Sequence, residues 1–168
     1  MILFWIILFI VLIFGLVVFR GSPYVPSQKK YICQAFTKLY KITLKDTLVD
    51  IGSGDGVVLR EAAKLGARAI GYEINPFLVL ISRLLSTKYK KIKINLADFW
   101  LIKMPKDTTV VYAFSVTRDV ARITKLLKNE VTRINHPVYL ISYGSNFKEL
   151  ELIKTVGAYG LYLIPCYN

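Results

Sequence analysis

The sequence predicts an α/β fold built on a doubly wound parallel sheet. Three observations carry that prediction. Short apolar runs alternate with amphipathic stretches from residue 47 to residue 143, the order that lays helices on both faces of a parallel sheet. The glycine-rich stretch Gly52-Ser53-Gly54-Asp55-Gly56 follows the first run directly, as a turn between strand and helix does. Acidic residues stand at the ends of three successive runs: Asp50, Glu73 and Asp98. Sheets of this type bind ligands at the carboxyl ends of their strands.

The chain has 168 residues, enough for one domain, and its hydrophobic fraction of 54% is unevenly spread. Residues 1–19 are apolar except for Gly15. As a helix they would span roughly 27 Å, close to the hydrocarbon thickness of a bilayer. No lysine or arginine precedes them and no small-residue cleavage site follows, so a cleaved signal peptide is not expected. A buried core helix is the competing reading, but a helix apolar all round has no polar face to show to water. The expectation is therefore one transmembrane helix over residues 1–20. Arg20, Lys29, Lys30, Lys38 and Lys41 all follow it, which puts the N-terminus outside and the remainder in the cytoplasm.

Residues 21–29 read as a linker, with two prolines and no helical period. The domain then runs over residues 30–168. Residues 30–40 carry Ile32, Ala35, Phe36 and Leu39 on one side of a helix. Residues 47–52 predict a strand and 57–65 a helix starting just after the glycine turn. Residues 68–74 predict the second strand. Pro76 opens the next helix at a favoured first-turn position; its apolar stripe is Leu78, Ile81, Leu84 and Leu85. Residues 91–97 alternate lysine or asparagine with apolar residues, a strand with one wetter face. The continuous apolar run 108–114 fits the centre of a covered sheet. Residues 118–132 predict a helix and 137–143 a fifth strand. The tail leaves two readings: a hairpin of 150–156 and 161–167 around Gly157-Ala158-Tyr159-Gly160, or a helix over 147–155.

The loop suits S-adenosylmethionine better than a dinucleotide. A dinucleotide fingerprint is Gly-x-Gly-x-x-Gly, whereas here Gly52, Gly54 and Gly56 alternate and residue 57 is valine. Asp50 beside the loop would repel a pyrophosphate but attract the ammonium of an amino acid. The glycines allow close backbone approach, and the helix starting near Val57 offers N–H groups to a carboxylate. Glu73 is placed to accept both ribose hydroxyls, and Asp98 to accept from the adenine amine, with Ile74 and Phe99 flanking the ring. Ser53 belongs to the same loop. Asp55 either orders the loop or caps the helix. Trp100 is open between a membrane-interface anchor, a wall of the adenine pocket and simple packing.

In these residues the chain resembles the class I, or seven-strand, methyltransferases. More narrowly, it resembles the membrane-anchored lysine methyltransferases of ATP synthase c subunit and adenine nucleotide translocase. The residues that carry this are the N-terminal apolar segment, Pro23-Tyr24-Val25-Pro26, the stretch from Val49 through Gly56, and Gly71-Tyr72-Glu73-Ile74-Asn75-Pro76. Ser82-Arg83 and Asp98-Phe99-Trp100 complete the set. The likeness thins after Thr117. It implies methyl transfer to a protein lysine, a Rossmann-like fold, and a pre-domain segment beside the cofactor that puts Tyr24 near the methyl group. The stretch Ala113-Phe114-Ser115-Val116 lacks the Asn-Pro-Pro-Tyr type motif of many amino-group methyltransferases. Tyr24 and Ser115 are the candidates for positioning an acceptor amine. The plainer alternatives are linker packing for Tyr24 and a strand-end hydroxyl for Ser115. Tyr143 or Phe147 stands in for an aromatic feature after the fifth strand.

The net charge is +12. Lys88, Lys90, Lys91 and Lys93 form one basic cluster; Arg118, Arg122, Lys125 and Lys128 form another at helical spacing. Attraction to anionic lipid is the expected role; a solvated surface is the alternative, and nucleic acid is not an expected partner. Cys33 and Cys166 have no metal-ligand spacing, so free thiols and no metal are expected. His136 before Pro137 reads as a loop residue rather than a base. The expected partners are a protein substrate and the membrane. A lipid or small-molecule acceptor, or a non-catalytic cofactor-binding role, is the alternative.

Overall fold

The computed structural model describes residues 1, 2, 4, 5 and 27–166. Five strands follow in turn: β1 (Thr47–Ile51), β2 (Arg68–Glu73), β3 (Ile92–Leu96), β4 (Val110–Phe114) and β5 (Val138–Tyr143). A hairpin of β6 (Glu151–Val156) and β7 (Tyr159–Ile164) ends the chain. They form one seven-stranded sheet in the order β3-β2-β1-β4-β5-β7-β6. The first five strands pair in parallel, and β7 runs antiparallel to both its neighbours. The chain reverses direction across the sheet at β1 and β4, where a crevice opens beyond the strand ends.

The hairpin reading of the tail therefore holds, with Gly157 at φ +59° in its turn. A helix over 147–155 would leave β7 without its outer partner. Tyr159 and Leu161 pack on one face of the sheet, and Tyr162 and Ile164 on the other.

Helices cover both faces. On one lie α1 (Lys29–Gln34), continued by a π-helical turn over Ala35–Leu39, then α2 (Val57–Lys64) and α3 (Pro76–Ser86). Their Ile32, Phe36, Leu59 and Val79 meet Leu48, Val110 and Ile141 of the strands. On the other face α4 (Val120–Ile134) packs Ile123, Leu127 and Val131 against Val49, Val111 and Leu140. Strand alternation sorts β1 in the same way: Leu48 and Asp50 turn to the first face, Val49 and Ile51 to the second.

α3 departs from its expected packing. The stripe Ile81, Leu84 and Leu85 faces outward, and Val79, Ser82 and Ser86 are buried instead. The cause is the glycine turn. A Cβ on Gly56 would fall on the Ser82 Oγ, so α3 approaches the turn closely enough to admit only small side chains. Its start is as expected, with Pro76 in the first turn and the Asn75 side chain accepting from the N–H groups of Phe77 and Leu78.

The expected transmembrane helix falls almost wholly outside the described residues, as does Tyr24. Among the described residues, no helix is long and apolar enough to cross a membrane.

Close approach also governs Gly71 in β2. A Cβ there would lie 2.5 Å from the Ser53 Oγ and 2.6 Å from Leu59 Cδ1. Gly71→Ala is expected to destabilise the fold by about 1–3 kcal/mol, the usual cost of overpacking. A thermal melt reads this directly, and an unchanged midpoint would show that the loop yields freely.

Candidate cofactor site

The site begins where β1 ends. Gly52 and Ser53 both donate backbone N–H bonds to the Tyr72 carbonyl, at 2.9 and 3.0 Å, clasping the loop to β2. The Gly54 N–H donates to Glu73 Oε2 at 2.8 Å, and the Asn75 N–H to Glu73 Oε1 at 2.8 Å. Gly52, Gly54 and Gly56 all have positive φ, a conformation that L side chains rarely adopt. Glu73 thus does more than the sequence suggested: it fastens the glycine loop to the end of β2. Each of its oxygens keeps a further lone pair for a ligand hydroxyl.

Asp50 is 2% exposed, and none of the described residues donates a hydrogen bond to it. Burial first, then the Glu73 and Asp55 carboxylates, hold its carboxyl well above the usual range. Burial of a carboxylate is costly, and a cation at this point would relieve it. Asp50 and the open lone pairs of Glu73 fit the ammonium and the ribose of S-adenosylmethionine.

Asp55 is held between the loop and the following helix. Its Oδ1 accepts from the Val57 N–H at 3.2 Å, and its Oδ2 pairs with Arg60 at 3.1 Å. It therefore takes one of the N–H groups expected for a ligand carboxylate. The Ser53 hydroxyl turns away from the strand ends and lies against Gly71, buried and without a partner among the described residues.

Asp98 follows β3 and accepts from the Trp100 N–H through Oδ1 at 3.0 Å, leaving Oδ2 for a ligand amine. Ile74 and Phe99 are half-buried on the same rim. The Phe99 and Trp100 rings are 4.3 Å apart, and the Arg122 guanidinium lies over Trp100 at 3.9 Å. Trp100 is thus fixed by packing beside Phe99. Arg122 is engaged there too, and Lys128 approaches Glu149 at 3.5 Å. The basic face of α4 is in part internally neutralised.

At the end of β4 the sequence points to Ser115, and the structure places its side chain on the face opposite Asp50. Ser115 is buried, with its Oγ 3.5 Å from Ser142 Oγ, while its carbonyl accepts from Ser145 Oγ at 2.6 Å. The residues that share Asp50's face are aromatic. Tyr112 pairs with Asp50 across β1 and β4, and Phe114 pairs with Tyr143 across β4 and β5. Phe114 and Tyr143 stack at 5.4 Å, and Tyr143 lies 4.8 Å from Tyr159. The Tyr112 and Tyr159 hydroxyls meet at 3.2 Å. Burial raises the Tyr112 phenol.

His136 bonds the carbonyls of Pro137 and Lys106 at 3.0 and 2.8 Å, far from this rim. Cys33 and Cys166 are free. Among the described residues, no cluster of histidine, cysteine or acidic side chains is arranged to hold a metal.

Strand order, glycine loop and strand-end carboxylates together define the class I methyltransferase fold. An RNA methyltransferase from Salinibacter ruber, solved with S-adenosyl-L-homocysteine, superposes with a TM-score of 0.74 at 23% identity. The match covers 84% of this chain and 94% of that one. In sequence, the chain is similar to the ATP synthase c-subunit lysine N-methyltransferase of Homo sapiens. The two are 35% identical over 112 residues, covering 65% of this chain and 47% of the relative. It is also similar to the ribosomal RNA small-subunit methyltransferase A of Thermotoga maritima, at 37% over 68 residues, or 40% of this chain and 24% of the relative. The chain thus spans about half, or less, of the length of these curated relatives. No family model matches it.

Proposed function

We propose that the chain is an S-adenosylmethionine-dependent methyltransferase acting on a protein lysine at a membrane, with its domain on the cytoplasmic face. The observation that carries the cofactor is the order Asp50, Glu73, Asp98 at the ends of adjacent strands around the glycine loop. Asp50 takes the ammonium, Glu73 the ribose hydroxyls and Asp98 the adenine amine, with Ile74 and Phe99 against the ring. Gly52, Gly54 and Gly56 let the backbone approach, while Ser53 and Asp55 shape the loop from behind. The longest sequence match among the relatives described above, to a lysine N-methyltransferase, supports the acceptor.

S-adenosylmethionine, when bound, supplies an activated methyl group on a sulfonium sulfur. What remains for the protein is alignment and exclusion of water. A lysine amine has a reference pKa of about 10.4 and arrives protonated; an apolar, dry slot favours its neutral form. The stacked Phe114 and Tyr143 flank the side of the crevice beyond Asp50 and offer such a slot. Aromatic faces also attract an ammonium as it arrives. They serve this role better than Ser115, whose hydroxyl faces the other way; Tyr24 remains the second candidate for the acceptor amine.

Phe114→Ala is expected to lower methyl transfer at least tenfold, which corresponds to about 1.4 kcal/mol of transition-state free energy. Its affinity for S-adenosylhomocysteine, measured by calorimetry on the full chain in detergent, should be unchanged. Equal losses in both would make Phe114 a structural residue. No binding of S-adenosylhomocysteine by the unaltered chain would overturn the cofactor assignment itself.

A further inference from the structure

α3 buries small residues and exposes large ones. Leu80, Ile81, Leu84 and Leu85 are 45–63% exposed, and their spacing places them in a single stripe. A contiguous apolar stripe on a charged domain marks a contact surface. Exposed lysines follow its C-terminal end: Lys88 just past the helix and Lys90 in the following turn.

The chain's own apolar segment is one possible cover. Yet Met1, Ile2, Phe4 and Trp5 at its start are exposed, so they do not lie in the stripe. A segment apolar over residues 1–19 also carries more apolar surface than one helix stripe can cover. Ser27 lines a cavity of about 490 Å³ together with Leu85, Lys88 and Tyr89 at the C-terminal end of α3. The described chain thus starts beside the end of α3, where Lys88 and Lys90 give the stripe a positive border suited to anionic headgroups.

We infer that the α3 stripe rests on an anionic bilayer surface. The leucines reach the acyl boundary, and the lysines lie among the headgroups, as in interfacial amphipathic helices. This rests on the membrane placement proposed above and adds an orientation to it. α3 starts three residues after Glu73, so contact along α3 fixes the height of the cofactor rim above the lipid. The acceptor lysine then lies near the membrane surface.

The test uses the full chain reconstituted into phosphatidylcholine vesicles containing phosphatidylglycerol, with a photoactivatable group on a fraction of the acyl chains. Labelled peptides are mapped by mass spectrometry after irradiation. Label is expected in residues 1–19 and in residues 76–86. A Leu80→Glu/Leu84→Glu variant, altered only at exposed positions, should lose the second label several-fold and keep the first. Label in residues 1–19 alone would overturn the α3 contact while leaving the membrane placement intact. Label in neither would overturn both. Undiminished α3 labelling in the double variant would also overturn the contact.

Discussion

Glu73→Ala is expected to abolish measurable cofactor binding and to lower stability at the same time. Two effects combine at this position. The ribose loses its acceptor, and charge-assisted hydrogen bonds of this kind contribute about 1.5–3 kcal/mol. The Gly54 N–H, buried and donating to Glu73 at 2.8 Å, is left without its acceptor, which costs about 1–3 kcal/mol. For a domain of this size, each kcal/mol moves the melting midpoint by roughly 2–4 °C. Glu73→Gln separates the two effects. Its single carbonyl oxygen can accept from the Gly54 N–H but leaves the Asn75 N–H without its acceptor, and the bidentate acceptor for the ribose is gone. The glutamine variant should therefore melt between the alanine variant and the unaltered chain yet bind S-adenosylhomocysteine weakly. Unchanged affinity in calorimetry for either variant would remove Glu73 from the ribose site.

Asp50→Asn is expected to stabilise the cofactor-free domain at neutral pH while weakening the cofactor roughly ten- to hundred-fold, as loss of one charged hydrogen-bonding partner implies. The direction follows from its buried carboxyl, held well above the usual carboxylate range by burial and by Glu73 and Asp55. Between the ordinary value and the raised one, the folded domain holds a proton that the unfolded chain has released. Stability therefore falls as pH rises through that window. The asparagine variant carries no such cost and should show a flatter dependence. An ammonium ligand needs the ionised form, so cofactor affinity should rise with pH across the same window, and binding should release a proton. Calorimetry in buffers of different ionisation enthalpy measures that proton directly. No proton release by the unaltered chain, or a pH dependence retained in the variant, would place the ammonium elsewhere.

Much of this was legible in the sequence because local signals and the fold agree. The alternation through residue 143 gave the parallel strands, and the alternate glycines marked the turn that Glu73 clasps. What was not legible depended on contacts between distant elements. The α3 stripe reads as a core-facing pattern until Gly56 is seen to press on Ser82, which forces the small residues inward. At the end of β4, the search for a polar motif drew attention to Ser115. Parity with Asp50, which needs the β1–β4 register, selects Tyr112 and Phe114 instead. The aromatic run on to Tyr143 and Tyr159 further requires β7 to insert between β5 and β6, a pairing that residue order does not announce. Even the second role of Glu73, as the acceptor for Gly54, follows only from the turn's folded path.

The most direct test of the central claim is methyl transfer by the full chain in membranes. Labelled S-adenosylmethionine is incubated with the purified protein and membranes from a host lacking it, and the product is divided into protein, lipid and RNA fractions. The account predicts label in a protein band, located on lysine by mass spectrometry and absent with the Glu73→Gln variant. Label confined to lipid or RNA would contradict the lysine assignment. No label in any fraction, from a chain that binds S-adenosylhomocysteine, would contradict catalysis itself.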